Sequence, residues 1–303
     1  MSLKQVVSTV KGRDVAATVL HFTPGLNSNS KSPLLVFLPG NPGFINYYTV
    51  YLQAIHSRFP ELEILGISHC GFSSLDGPVD EVFTLDDQIE HKVSLLEKYT
   101  GRPVFIMGHS VGCYILQRCV ERLPQLDWRF HGLLMPTIVE INQSAKGSKL
   151  SPVVSNLTSF AHGVGYLGYL TQYIPTRWMT SLLHTVLKDG NEDSIQCTNL
   201  LVTSPGFIRQ ALGLATEEMG TIRDLWGYQS QWFVQTSGDI WCVFTEGDHW
   251  IKDSTRDRLV QMFTETEGID VDVLMTEEYT HSFCVSKSME FARVTIEKLE
   301  LLL

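Results

Sequence analysis

The amino-acid sequence predicts an α/β fold: a mostly parallel, doubly wound sheet in a single domain over 1–303, interrupted by an inserted helical cap over 140–235. Three observations predict it. Largely apolar runs of strand length recur at 34–38, 62–67, 104–107, 132–138, 240–245 and 271–275, and 34–38, apolar at every position, reads as a strand buried on both faces. Segments of helical spacing alternate with these runs, as a sheet wound with helices on both sides requires. One run, Val104 to Met107, leads through Gly108-His109-Ser110-Val111-Gly112 into a helical pattern carrying Ile115, Leu116, Cys119 and Val120.

Taken in order, 5–10 and 15–23 alternate around the polar Lys11 to Asp14 and read as an opening hairpin. A polar loop at 27–32 leads to the strand Leu34 to Leu38, then Pro39-Gly40-Asn41-Pro42-Gly43. The strand Leu62 to Ile67 ends at Ser68-His69-Cys70-Gly71, where His69 is weighed as a site residue and read rather as structural. Leu85, Ile89, Val93 and Leu96 give 85–99 helical spacing, and Gln88, His91 and Lys92 read as its solvated face.

The regular alternation breaks after 140. From Leu150 to Thr176 no residue carries a fixed charge, and apolar or aromatic side chains cover every helical face; three glycines and many hydroxyls argue against a membrane span. Trp178, Met179, Leu182, Leu183, Val186 and Leu187 then form an amphipathic helix. We read 140–235 as a cap over the sheet that meets a greasy substrate. The sheet resumes at 240–245 and closes with 271–275, and the terminal helix runs from Met289 to Leu302.

A chain of 303 residues with a net charge of −10 can bury one large core and is not expected to bind nucleic acid. The first residues lack the apolar core of a signal peptide, so secretion is not expected. The six cysteines lack C-x-x-C spacing and read as reduced thiols, with no disulfide framework and no zinc site.

The chemistry centres on Gly108-x-Ser110-x-Gly112, a nucleophile elbow in its strand–turn–helix setting. Ser110 must take a strained backbone there, so only glycine fits at 108 and 112, and the Val111 N–H stands at a helix N-terminus where an oxyanion can form. In an α/β hydrolase the second oxyanion donor comes from the loop after the earlier strand. Pro42 has no N–H, which leaves the Asn41 amide, with Gly40 and Gly43 allowing close approach. A serine hydroxyl needs an adjacent base, and the order in this fold is Ser, acid, His. His281 alone follows the last strand; His249 lies beside the acid, and His162 and His184 sit in the cap. Asp248, just past 240–245, is the acid; Glu246 is the reserve, Asp253 lies further along, and Asp239 emerges at the wrong end. Acyl transfer with Ser110, His281 and Asp248 needs no metal or cofactor.

Pro-Gly-Asn-Pro-Gly, Gln88-x-x-His91-Lys92, Gly-His-Ser-x-Gly, Pro136-Thr137, Gly247-Asp248-x-Trp250 and His281-x-Phe283 together resemble the lipid-droplet-associated hydrolases, α/β hydrolases of animals, fungi and plants. The motifs run from residue 34 to about 284. The resemblance puts the nucleophile on Ser110, the acid on Asp248 and the histidine on His281. It implies attachment by an apolar segment to lipid droplets and the endoplasmic reticulum on their cytosolic side, and neutral-lipid or sterol-ester turnover. The chain departs from the family with Ser144-Ala-Lys-Gly147 in place of Ser-Pro-Asn-Gly and Asp248-His-Trp250 in place of Asp-Pro-Trp. The leading expectation is therefore a serine esterase of hydrophobic esters at a droplet surface. The competing ones are a droplet-coating or tethering protein with weak or no hydrolase activity, and a soluble esterase of small substrates.

Overall fold

The computed structural model describes residues 1–25, 32–149 and 176–303. Of the predicted loop at 27–32 and the apolar stretch from 150 to 176, all but Ser32 and Thr176 lie outside the described residues. The strands are β1 (Ser2–Val10), β2 (Arg13–Phe22), β3 (Leu34–Leu38), β4 (Glu63–Ile67), β5 (Pro103–His109), β6 (Asp127–Leu134), β7 (Asp239–Thr245) and β8 (Val271–Thr276). They join in one sheet of order β1-β2-β4-β3-β5-β6-β7-β8. β1 with β2, and β2 with β4, are antiparallel; the other pairs are parallel. The hairpin closes on Lys11 and Gly12, both at positive φ, which matches the twist of the strands it joins.

Every residue of β3 is wholly buried, so both faces of the sheet are covered. On one face Phe37 meets Tyr48 and Tyr51 at ring-centroid distances of 4.7 and 5.5 Å. Tyr51 belongs to α1 (Thr49–Arg58), which packs on α10 (Ser288–Glu300). A second helix pair is α2 (Leu85–Leu96) with α3 (Val111–Arg122). Each large apolar side chain buried this way contributes about 1.5–3 kcal/mol.

Two expectations need correction. The apolar run 132–138 marks only the end of its strand: β6 starts at the polar Asp127 and stops at Leu134. Met135 turns to φ 45°, and Pro136 has no N–H for a ladder. Nor is Gln88, His91 and Lys92 a solvated face; all three are wholly buried. β1 packs against α2 and closes its outer side. Gln88 Oε1 accepts from the Cys70 N–H at 2.6 Å, its amide donates to the Cys70 carbonyl at 3.1 Å, and Lys92 Nζ donates to the Ser68 carbonyl at 2.8 Å. Burial pushes the Lys92 amine down to about 8. Gln88 and Lys92 thus bind the chain leaving β4, and His91 Nδ1 lies 3.1 Å from Lys92 Nζ.

Between β6 and β7 the described chain carries α4 (Thr176–Val186), α5 (Glu192–Thr203), α6 (Pro205–Thr221) and α7 (Trp226–Gln235). In α4, Met179 and Leu183 pack on Ile195 of α5, whereas Trp178, Leu182 and Val186 stand 62%, 55% and 67% exposed. That is an unusual amount of open apolar surface for one helix. α8 (Asp253–Glu265) and the short α9 (Phe283–Ser286) complete the chain. No described helix is long and apolar enough to cross a membrane.

Candidate active site

The chain crosses from β3 to β4 on one side, then returns to place β5 on the other side of β3, so the winding direction reverses there. Such a reversal opens a crevice at the carboxyl ends of the strands. Leu38 is in register with Gly108, which brings the Pro39–Gly43 loop beside the turn that follows β5.

Ser110 occupies that turn with φ 56° and ψ −124°, a conformation costly for a side-chain-bearing residue. Its N–H donates to the Leu134 carbonyl at 3.0 Å, and its carbonyl accepts from the Cys113 N–H at 3.0 Å. The flanking glycines are required by contact. A Cβ at 108 would lie 2.6 Å from the Gly112 backbone, and one at 112 would lie 2.5 Å from the Leu38 carbonyl. Gly40 is equally close, since a Cβ there would stand 2.9 Å from His109 Nδ1 and 3.1 Å from Ser110 Cβ. At Gly43 a Cβ would run into His69 at 2.4 Å.

His281, past the end of β8, lies with Nε2 3.0 Å from Ser110 Oγ and Nδ1 2.8 Å from Asp248 Oδ2. A carboxylate only accepts, so Nδ1 carries the proton and Nε2 is left to accept from the serine hydroxyl. Asp248, past β7, has its second oxygen held by the Trp250 N–H at 2.7 Å. Its side chain is 2% exposed and that of His281 12%. The structure thus brings Ser110, His281 and Asp248 into one hydrogen-bonded line. It leaves the other candidates elsewhere. Glu246 and His249 are exposed, Asp239 opens β7 at the far edge, and Asp253 opens α8, where it pairs with Arg256 at 2.7 Å. His184 is half exposed, His162 lies outside the described residues, and His69 is buried under the Gly43 loop, neutral because burial holds its imidazole well below the usual range.

The amides of Val111 and Asn41 have no hydrogen-bond partner among the described residues. The Asn41 side chain is anchored: Nδ2 donates to the Ala211 carbonyl at 2.9 Å and to Glu218 Oε1 at 3.0 Å, both on α6. Sequence reasoning gave Glu218 no role, for an isolated glutamate in a helix carries no spacing signal. The same holds for Tyr48 and for His109 as more than an elbow residue. His109 Nε2 faces the His281 carbonyl at 2.8 Å and must be the donor, so Nδ1 accepts from the Tyr48 hydroxyl at 2.7 Å. The Tyr48 oxygen in turn accepts from the Gly40 N–H at 3.1 Å. Burial holds the His109 imidazole well below the usual range, consistent with the neutral tautomer this chain of bonds demands.

These groups open on a cavity of about 210 Å³ whose lining includes Ser110, His281, Tyr47, Leu201, Met219 and Val285. The described residues hold no cluster of side chains suited to a metal ion, and all six cysteines are buried and free.

A model of the lipid-droplet associated hydrolase family matches residues 31–284. The lipid droplet-associated hydrolase of Gallus gallus is 28% identical over 232 residues, covering 69% of this chain and 70% of the chicken protein. Its counterpart in Rattus norvegicus is 28% identical over 243 residues, covering 70% and 72%. Among solved structures, the haloalkane dehalogenase DbeA from Bradyrhizobium elkani aligns with a TM-score of 0.64 at 10% identity, over 99% of each chain. The likeness is one of fold: this is an α/β-hydrolase sheet flanked by helices.

Proposed function

This chain belongs to the lipid-droplet associated hydrolase family, and we propose that it is a serine esterase that cleaves hydrophobic esters at a lipid surface by an acyl-enzyme mechanism. The observation that carries the reading is the pair of contacts that line up Asp248, His281 and Ser110 at 2.8 and 3.0 Å. In this reading His281 takes the Ser110 proton as the oxygen attacks the ester carbonyl, and Asp248 stabilises the imidazolium that results. The Val111 and Asn41 amides receive the oxyanion. The imidazolium then protonates the departing alcohol, and a water activated by the same histidine releases the acid.

A cavity of about 210 Å³ is below the roughly 300–1,000 Å³ usual for ligand pockets. It suits the reacting carbonyl and the start of a chain better than a whole sterol ester. Neutral lipids, sterol esters among them, are therefore proposed as substrates that present one end to Ser110 while the remainder stays with the lipid. We take 140–235 as the cap through which that lipid is met. Lipid-droplet association, named for the chicken and rat relatives, is extended here to this chain, with the cytosolic face of the endoplasmic reticulum as its companion site.

The second reading is a droplet-coating or tethering protein, favoured by the exposed Trp178, Leu182 and Val186 of α4. Fluorophosphonate labelling of wild type, Ser110→Ala and His281→Ala tests the first. Labelling of wild type that both substitutions abolish supports the esterase. Absence of labelling in folded, lipid-supplied wild type overturns it in favour of the coat.

A further inference from the structure

The cap side of the Asn41 loop holds a carboxyl that the chemistry above leaves unused. Glu218 lies on α6, 4% exposed, and lines the same cavity as Ser110 and His281. Among the described residues its carboxyl makes one hydrogen bond, accepted from Asn41 Nδ2. The same nitrogen also donates to Ala211, two turns earlier on α6. The helix therefore grips the Asn41 side chain at two points, while the Asn41 main-chain N–H has no partner among the described residues and stays available for the oxyanion role proposed for it.

The titratable groups that share the cavity with Glu218 are Tyr47 and Tyr48 before α1, His109 on the elbow, His281 after β8 and Cys284 on α9, whose thiol burial keeps uncharged. The two tyrosines and two histidines have their own partners: Thr198, His109, the His281 carbonyl, and Asp248 with Ser110. Among the described residues no cation pairs with the glutamate. A carboxyl buried without one favours its uncharged form, and here burial pushes it up to about 8. Ionised, it would place a negative charge beside the oxygen that itself becomes negative in the tetrahedral intermediate.

Resting on the serine-esterase reading, we propose that Glu218 is a positioning residue for acyl transfer. As an uncharged clamp it holds the Asn41 side chain to the cap helix, and so fixes the Asn41 amide where the oxyanion forms.

The experiment compares wild type, Glu218→Gln and Glu218→Leu on p-nitrophenyl butyrate across pH 6 to 10. Gln keeps the acceptor for Asn41 and cannot ionise; it retains kcat within about twofold near pH 7 and holds it above pH 8, where wild type declines. Leu removes the acceptor and lowers kcat by about ten- to a hundredfold with little change in KM, and adds nothing further to Asn41→Ala. A Leu variant with wild-type kcat, or alkaline limbs that coincide in wild type and Gln, overturns the proposal. Should wild type neither turn over nor label, the esterase reading falls by itself. Infrared difference spectra of wild type against Glu218→Gln then decide the clamp: a protonated-carboxyl band that fades above pH 8 supports it, and no such band overturns it.

Discussion

His109 Nε2 donates to the main-chain carbonyl of His281 at 2.8 Å, so the residue before the nucleophile also fixes the loop that carries the base. The imidazole is held in turn by Tyr48, whose oxygen accepts from the Gly40 amide. One buried chain of hydrogen bonds thus ties the Gly40 loop, the elbow and the base loop together.

Tyr48→Phe removes the middle of that chain and leaves the Gly40 N–H and His109 Nδ1 buried without partners. The expected loss of stability is about 1–3 kcal/mol, read from urea unfolding, accompanied by slower labelling of Ser110. An unchanged unfolding midpoint would mean that water or a shifted side chain satisfies both groups.

Ser110→Ala should lower kcat by roughly four to six orders of magnitude and end fluorophosphonate labelling. Ser110→Gly should be equally inactive yet more stable than the alanine variant by about 1–3 kcal/mol, because only glycine relaxes at φ 56° and ψ −124°. Thermal melts of the two inactive proteins check this directly.

Asp248→Asn keeps the shape of the acid but no longer demands a proton on His281 Nδ1, the arrangement that frees Nε2 to accept from Ser110. A fall in kcat of about 10⁴ with an unaltered fold is expected, by analogy with the same change in serine proteases.

The pH dependence of stability has a definite sign at Glu218. Its folded-state pKa is raised from 4.5 to about 8. Between those values the unfolded chain has released the proton and the folded chain keeps it, so wild type loses stability as pH rises through that window. Below it and above it this contribution is level. The Tm of Glu218→Gln relative to wild type should therefore climb from pH 5 to 8 and then plateau. A constant difference would rule out the buried, neutral carboxyl.

Charging the open stripe of α4, as in Trp178→Asp with Leu182→Asp and Val186→Asp, should reduce binding to triolein emulsions at least about tenfold, because buried apolar area and tolerance of charge set interfacial affinity. Flotation measures it. Hydrolysis of a soluble short ester should survive, since the stripe faces away from the packing of Met179 and Leu183. Unchanged flotation would move the lipid contact elsewhere in the chain.

The sheet and the elbow were legible because the central strands are built around apolar runs, unbroken in β3, and because Gly108 and Gly112 are dictated by backbone contacts. The line of Ser110, Asp248 and His281 could be drawn from chain order alone, since each stands just past a strand at one edge. What escaped was set by packing between distant segments. Nothing local marks Gln88, His91 and Lys92 as buried until β1 covers α2. Asp127 begins a strand only because β5 pairs there, with Pro103 opposite it. Glu218 and Tyr48 take their meaning from partners on other elements, Asn41 and His109, that no periodicity relates to them.

Asn41 and His281 stand near opposite ends of the chain, yet the proposed site needs both beside Ser110. Contacts so distant in sequence form late, since the intervening chain must be closed before they contribute. Refolding protein should accordingly recover helical signal well before it can be labelled at Ser110. The serine then serves as a clock for the final docking of β7 and β8: a newly made chain stays chemically silent until its last strands are in place.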